Sequence, residues 1–496
     1  MAYQHGVRVQ EQATSIVAPI LGTAGLQVVF GTAPVNLADD PYSVTNTPVI
    51  AYSWSEAVGK LGFSYDYEKY TLCQSMYASF QLFGIAPVIF VNVLDPKKHK
   101  RKNEAKTVSV EELEATVPIT GILLDTVTVK VPGGEGEADM PLGINKDYMI
   151  GFDDDGNLLV TLTAGGAGAA ATQVTVESTS IDPSAVTASD VIGASATGGE
   201  KGFEVLRQIY PKFGMTPGLI LAPGWSHIPD VGIVLAAKCE EINGYFTCEG
   251  FIDIDSTESG CTAYTDIKQA KEAAGCTSTH IMALWPGIAV GSQKFWYSAI
   301  LAAETAYLDA NNDDVPNLSP SNKLLGITGT VLMDAVYTDG KGWDKEIMLD
   351  QLQGNAVNSF GVTTAINNNG WRSWGNRTAA YPANTDPKDM WFCCRRFFSW
   401  WGNSFILTYA QKVDDPANRR LIECIVDTEN IRGNSYVSQG KCARAEIEFN
   451  ADENPVTDLI NGKLTFHQHL APYVPAEDIL NILEFDPYAL QEALTA

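Results

Sequence analysis

The alternation of apolar strands and helices in this chain breaks off near residue 98 and resumes near residue 202. Before the break, 27–33 (QVVFGTA) reads as a buried strand. Ser53 and Gly62 bracket a short helix, 70–83 reads as a longer one, and 87–94 as a second buried strand. After the break, strands at 218–224, 245–254 and 280–284 alternate with helices at 228–242, 265–274 and 292–309. Near-continuous apolar strands alternating with helices require a parallel sheet covered on both faces. A sheet drawing on both halves is discontinuous, with the intervening residues looped out of it.

The intervening stretch differs in composition. From 103 to 200 there are sixteen acidic residues, three lysines, no arginine, no cysteine and no tryptophan. Half of the chain's net charge of −26 lies there. Segments 127–131, 157–163 and 173–176 read as strands between turns, so a small, outward-facing β domain is expected. The basic run 97–102 (KKHKRK) reads as a solvated linker, with an anion or partner site as the other reading.

Both chain ends carry strands without partners. At the start, Tyr3, His5, Val7 and Val9 alternate with polar or small residues. At the end, 443–449 alternates strictly, 454–462 reads as a short helical turn, and Leu464, Phe466, Gln468 and Leu470 share one side of a further strand. The stretch 477–486 is apolar on both sides, and 479–485 reads as a last strand. Two or three such strands form no core of their own.

Between core and tail lies an aromatic, locally basic block. Helices are expected at 391–411 and 419–431. From 372 to 420 there are eight basic residues and four acidic ones, in a chain that is otherwise strongly acidic. The overall acidity excludes a general nucleic-acid binder. Nine cysteines without a CxxC pair predict buried, reduced thiols. The first residues lack a basic and an apolar region, which predicts no signal peptide. The uncharged stretch 13–38 is broken by Pro19, Gly22, Gly25, Gly31 and Pro34, so short buried strands are expected rather than a membrane span.

No residue set points to catalysis, a cofactor or a metal. Ser226 and His227 follow a strand, but Ile228 stands where the second glycine of a nucleophile elbow belongs. Asp153, Asp154 and Asp155 precede Gly156 as in a calcium loop, yet position twelve is Ala164, so a hairpin turn is expected. His467 and His469 share a strand face without an evident third ligand. The aromatics of 391–405 read as core.

One stretch is specific: 370–378, GWRSWGNRT. Its Trp374-Gly375-Asn376-Arg377-Thr378 resembles the signature of contractile tail sheath proteins of bacteriophages and related particles. The HGVRV start and the strand–helix–strand end with its acidic-aromatic tail, Glu484 to Pro487, resemble that family too. The resemblance covers 1–95 and 200–496 and leaves the insertion unmatched. It implies an N-terminal arm at 1–20, a discontinuous α/β core at 21–98 and 201–353, and an inserted acidic all-β domain at 99–200. A C-terminal α+β sheath domain with a terminal strand arm takes 354–496.

The implied function is structural and non-enzymatic. Subunits stack as hexameric rings around an inner tail tube, with baseplate and tail terminator proteins at the ends. Contraction drives the tube through a target cell envelope. No nucleic acid, cofactor or direct membrane insertion is involved. The implied location is the tail of a virion or phage-tail-like particle, assembled in the host bacterial cytoplasm. Arms exchange strands between subunits, with Val7, Val9, Ile447, Phe449, Leu464, Phe466, Leu483 and Phe485 at the joints. Arg395, Arg396, Arg419 and Arg420 are the expected tube-facing residues. Arg377 is expected to hold its own domain's fold. An α/β enzyme with an inserted β domain, or a capsid or surface-layer protein, are the alternative readings.

Overall fold

The structure, a computed structural model, describes residues 20–21, 24–133, 138–196 and 199–495. The expectations for the N-terminal arm, Val7 and Val9 included, lie outside the described residues.

The core is one eight-stranded sheet built from both halves of the interrupted pattern. Its strands are β1 (Gln27–Gly31), β2 (Pro48–Ala51), β3 (Val88–Asn92), β4 (Leu219–Leu221), β5 (Glu249–Asp253), β6 (Ile281–Leu284), β7 (Val362–Asn367) and β8 (Trp371–Trp374). Their spatial order is β8-β7-β6-β5-β4-β1-β3-β2. The inner strands run parallel, and β2 and β8 close the two edges antiparallel. Every residue of β1, β3, β4, β5 and β6 is buried, which explains their mostly apolar character.

Helices cover both faces. On β5, Gly250 and Ile252 point towards α1 (Pro229–Glu240): a Cβ on Gly250 would lie 2.7 Å from the Leu235 side chain. Residues 249, 251 and 253 point the other way, towards α2 (Tyr297–Ala310) and α3 (Phe392–Tyr409). Most of the circumference of α2 is buried, as expected for an apolar helix at the centre of a domain.

The winding reverses between β1 and β4, where open α/β sheets bind ligands. Here the chain fills that crevice itself. Leu72 donates its N–H to the Thr32 carbonyl at 3.0 Å, and Thr32 N–H donates to Thr71 Oγ1 at 3.3 Å. A Cβ on Gly31 would sit 2.2 Å from that hydroxyl. The Ser226 hydroxyl nearby donates to buried Asp253 at 3.2 Å, and His227 stacks on Trp296 at 4.4 Å. Asp253 also accepts from Ser298 N at 2.8 Å and so caps the first turn of α2 from outside.

The insertion has its own hydrophobic core between a four-stranded and a three-stranded sheet. The three expected strands are present as Thr128–Val131, Asn157–Leu162 and Gln173–Glu177. The turn at Asp153 is a hairpin turn in which its carboxylate accepts from the N–H groups of Asp155 and Asn157. Two expectations are corrected. The basic run is solvated, His99 apart, but it is not only a linker: Lys100–Lys102 pairs antiparallel with Thr179–Ile181 and forms the stem of the insertion, with His99 buried beside it. The insertion also ends before 200, because Val186 and Val191 bury into the core's own cluster.

Candidate assembly interface

The C-terminal unit consists of α3, α4 (Arg419–Ser438) and a hairpin of β9 (Cys442–Glu448) and β10 (His467–Pro472). It is docked on the core by polar residues of α3 at 396, 399 and 403, spaced to share one helix face. Arg396 forms a buried ion pair with Asp309 and donates to the Ala24 carbonyl at 3.3 Å. Ser399 donates to Glu249 at 2.6 Å. Asn403 brackets Thr247, accepting its N–H at 3.1 Å and donating to its carbonyl at 2.6 Å. Burial pushes the Asp309 carboxyl upward against the pull of Arg396.

Arg396 is therefore corrected as a tube-facing residue. Its side chain is 1% exposed and its charge is neutralised inside the chain. Arg395 is turned inward too, paired with Asp389 at 3.2 Å and lying over the Phe398 ring. Arg419 and Arg420 are exposed on the first turn of α4, and the Asn418 side chain caps that turn. Arg419 is paired with Glu423, one turn along the same helix. Sequence reasoning missed Ser399 and Asn403. Their signal was polar residues repeating at helical spacing within an otherwise aromatic helix.

The hairpin is closed on one edge and open on the other. Asn430 of α4 donates to the Ile447 carbonyl at 3.0 Å and accepts the Ile447 N–H at 2.9 Å. One turn on, a Cβ on Gly433 would lie 2.0 Å from the Ala445 carbonyl oxygen, so only glycine lets the helix lie this close. Ile447, expected at a joint between subunits, is thus buried and hydrogen-bonded within its own chain. Because Ile447 spends both main-chain groups on Asn430, its pair with Gln468 is a non-hydrogen-bonded one. The N–H and C=O of Gln468 and Leu470 then point to the far edge of β10, where no described strand lies. The Gln468 carboxamide is buried with neither polar atom partnered. Phe449 packs on Phe466 at 5.4 Å, and Leu464 is half-buried. His467 and His469 each face a carboxylate, Glu453 at 2.8 Å and Glu448 at 3.4 Å.

Beyond β10 the chain runs out exposed. The expected strand at 479–485 is corrected: these residues pair with no described strand, and a helix follows at Pro487–Thr495. Ile479, Ile482, Leu483 and Phe485 are 84%, 81%, 88% and 75% exposed. A strand needs a partner ladder, and the single chain offers none here. The tail is held at its root. Glu477 takes two hydrogen bonds from the Arg377 guanidinium, one of them at 3.1 Å. That guanidinium lies between the rings of Trp391 and Tyr381, at 3.8 and 4.4 Å. In the rest of the WGNRT stretch, Gly375 has φ +134°, Asn376 and Thr378 are buried, and the Trp374 indole donates to Asn355 at 2.9 Å. Among the described residues, no cluster of His, Cys, Asp or Glu is arranged to hold a metal ion. No described helix is long and apolar enough to cross a membrane.

The fold is similar to that of solved subunits of contractile machines. The helical sheath of the anti-feeding prophage in its contracted state matches with a TM-score of 0.55 at 14% identity, over 98% of this chain and 100% of that one. The sheath complex of an extracellular contractile injection system, PVC, in the contracted state, matches with a TM-score of 0.56 at 14% identity, over 99% of each. No family model matches. Curated relatives narrow the class. The tail sheath protein of Burkholderia phage BcepMu is 24% identical over 492 residues, which cover 96% of this chain and 95% of that one. The tail sheath protein of Escherichia phage P2 is 23% identical over 303 residues, covering 60% of this chain and 70% of that one. The chain is a homologue of the phage tail sheath proteins.

Proposed function

We propose that this chain, a contractile tail sheath subunit of a phage or phage-tail-like particle, polymerises as stacked hexameric rings around an inner tail tube. Contraction of the stack then drives the tube through a target cell envelope. The observation that carries this reading is the pairing of an open strand edge with an unpaired apolar tail in one molecule. The far edge of β10 offers main-chain donors and acceptors, and 478–495 presents an apolar segment the monomer cannot bury. Donated to a neighbour, Leu483 and Phe485 would bury their side chains while their backbone completed the ladder. The arm at Val7 and Val9 is assigned the same role on the other side of the sheet.

Arg419 and Arg420 are the proposed tube-facing residues. Exposed pairs worth about 0–1 kcal/mol each suit a contact that must break when the sheath expands away from the tube. The partners are further copies of this chain, the tube protein, and baseplate and terminator proteins, with assembly in the host cytoplasm. The work is mechanical and no chemical step is assigned. Negative-stain microscopy of the expressed protein tests the reading. The full chain is expected to give tubes of one diameter, and chains lacking 1–18 or 479–496 to give folded monomers. Normal tubes from either deletion would refute the arm roles.

A further inference from the structure

The Arg377 side chain stacks within its own domain, as expected, and also reaches the C-terminal tail. The WGNRT stretch is already tied to the start of α3 through its main chain. Thr378 N–H donates to the Met390 carbonyl at 2.9 Å, Phe392 N–H to the Asn376 carbonyl at 3.0 Å, and the Thr378 hydroxyl to the Asp389 carbonyl at 2.6 Å. None of these bonds involves the guanidinium. That group is held between Trp391 and Tyr381 and is 13% exposed, and its polar partner is Glu477 of the tail. Glu477 is also the last anchored residue. Among the described residues, no hydrogen bond or ion pair joins 478–495 to the body, and those present there are local to the terminal helix. The preceding tie is a weak one, from the Cys394 thiol to the Tyr473 carbonyl at 4.0 Å. Between the tail root and the β8 edge lies a cavity of about 740 Å3, lined by Asn322, Asn355, Asn358, Trp374 and residues 475–479. Packing alone therefore does not fix the tail against the core.

We propose that Arg377 is a positioning residue for the C-terminal segment: its stacked guanidinium grips Glu477 and sets the direction in which 478–495 leaves the body. A planar guanidinium wedged between two rings has little rotamer freedom left to lose, and its two parallel N–H groups match a carboxylate in one orientation. Lysine supplies the charge but neither the stack nor the fork. A tail aimed in advance loses less freedom when it pairs with a neighbour. In the mesh, Arg377 also ties the tail root to β8, so a pull on the tail reaches the core sheet as well as the hairpin.

This inference rests on the tail being the segment that joins subunits, and its test separates the two. Nitroxides are placed at Lys268→Cys and Leu480→Cys in a Cys424→Ser background, since the other cysteines are buried. Distances are read by pulsed electron resonance in dilute monomer. The parent is expected to show one narrow population, R377K and E477Q broad ones, and E477D a retained narrow fraction, with Tm unchanged in E477Q. The concentration needed for tube formation is expected to rise about tenfold in E477Q, equivalent to about 1.4 kcal/mol. A broad distribution in the parent, or an unchanged width in both R377K and E477Q, would overturn the positioning role. Normal tubes from a chain lacking 479–496 would instead overturn the joining role, whatever the distances show.

Discussion

The two sheets of this molecule end in opposite ways. The core sheet has antiparallel strands on both edges, helices on both faces, and its topological crevice filled by Thr71. The C-terminal hairpin has one edge closed by Asn430 and Gly433, one edge open, and a tail whose large apolar side chains face water. The outer edge of β8 is hydrogen-bonded to 322–325 of the same chain, whereas no described strand pairs with the outer edge of β10. A chain of this length buries ample apolar surface for a stable monomer, so the incomplete edge is not a failure of folding.

The contrast can be broken most strongly at the seam between the regions. Arg396→Ala leaves the Asp309 carboxyl buried without its partner, and a loss of about 3–5 kcal/mol in unfolding free energy is expected from urea titration. An unaltered midpoint would mean that the C-terminal unit is not docked through this pair. Gly433→Ala is the next largest. Its new methyl meets the Ala445 carbonyl, so α4 has to lift from β9 at a cost of about 1–3 kcal/mol. Hydrogen exchange should quicken at 442–448 and not in β1 or β5, which separates a hairpin effect from a core effect.

A third test uses acidity. Burial pushes the Asp253 carboxyl up to about 6 from 3.8. The folded state then holds this proton where the unfolded state has released it. The Asp253 contribution to stability accordingly falls as pH rises from about 4 to 6 and stays low above that. Asp253→Asn should flatten this part of the pH–stability curve. A variant with the parent's slope would contradict the assignment. The smallest effect on folding belongs to the open region. Removing 479–496, or making R419E with R420E, should change unfolding free energy by no more than about 0.5 kcal/mol. The first should abolish tubes, and the second should leave tubes but weaken decoration of the inner tube. A large loss of stability in either would show that the open region is part of the core after all.

Much of this was legible in the residues. The apolar runs at 27–33, 87–94 and 218–224 announced buried parallel strands, and the acidic, tryptophan-free stretch announced the insertion. Those features are local, so a linear reading finds them. The strict alternation of 443–449 likewise gave β9 within a residue at either end. The errors came where partners are distant in sequence. Arg396 reads as surface until Asp309, on another helix, comes to meet it. Val186 and Val191 read as insertion until the core accepts them. Ile479 to Phe485 reads as a strand, yet strand pairing is a property of two segments, and the second is missing from the single chain. The WGNRT stretch was visible as a motif, but the role of Arg377 depended on Glu477, one hundred residues on.

The closed edge of β9 carries a consequence of its own. A hairpin free on both sides would template strands in either direction, and stacked copies could extend without limit as a fibre. Asn430 stoppers one side with a side chain that imitates a strand's two hydrogen bonds, and the close passage of α4 at Gly433 leaves no room for a rival. A further strand could therefore join this hairpin only on the β10 side.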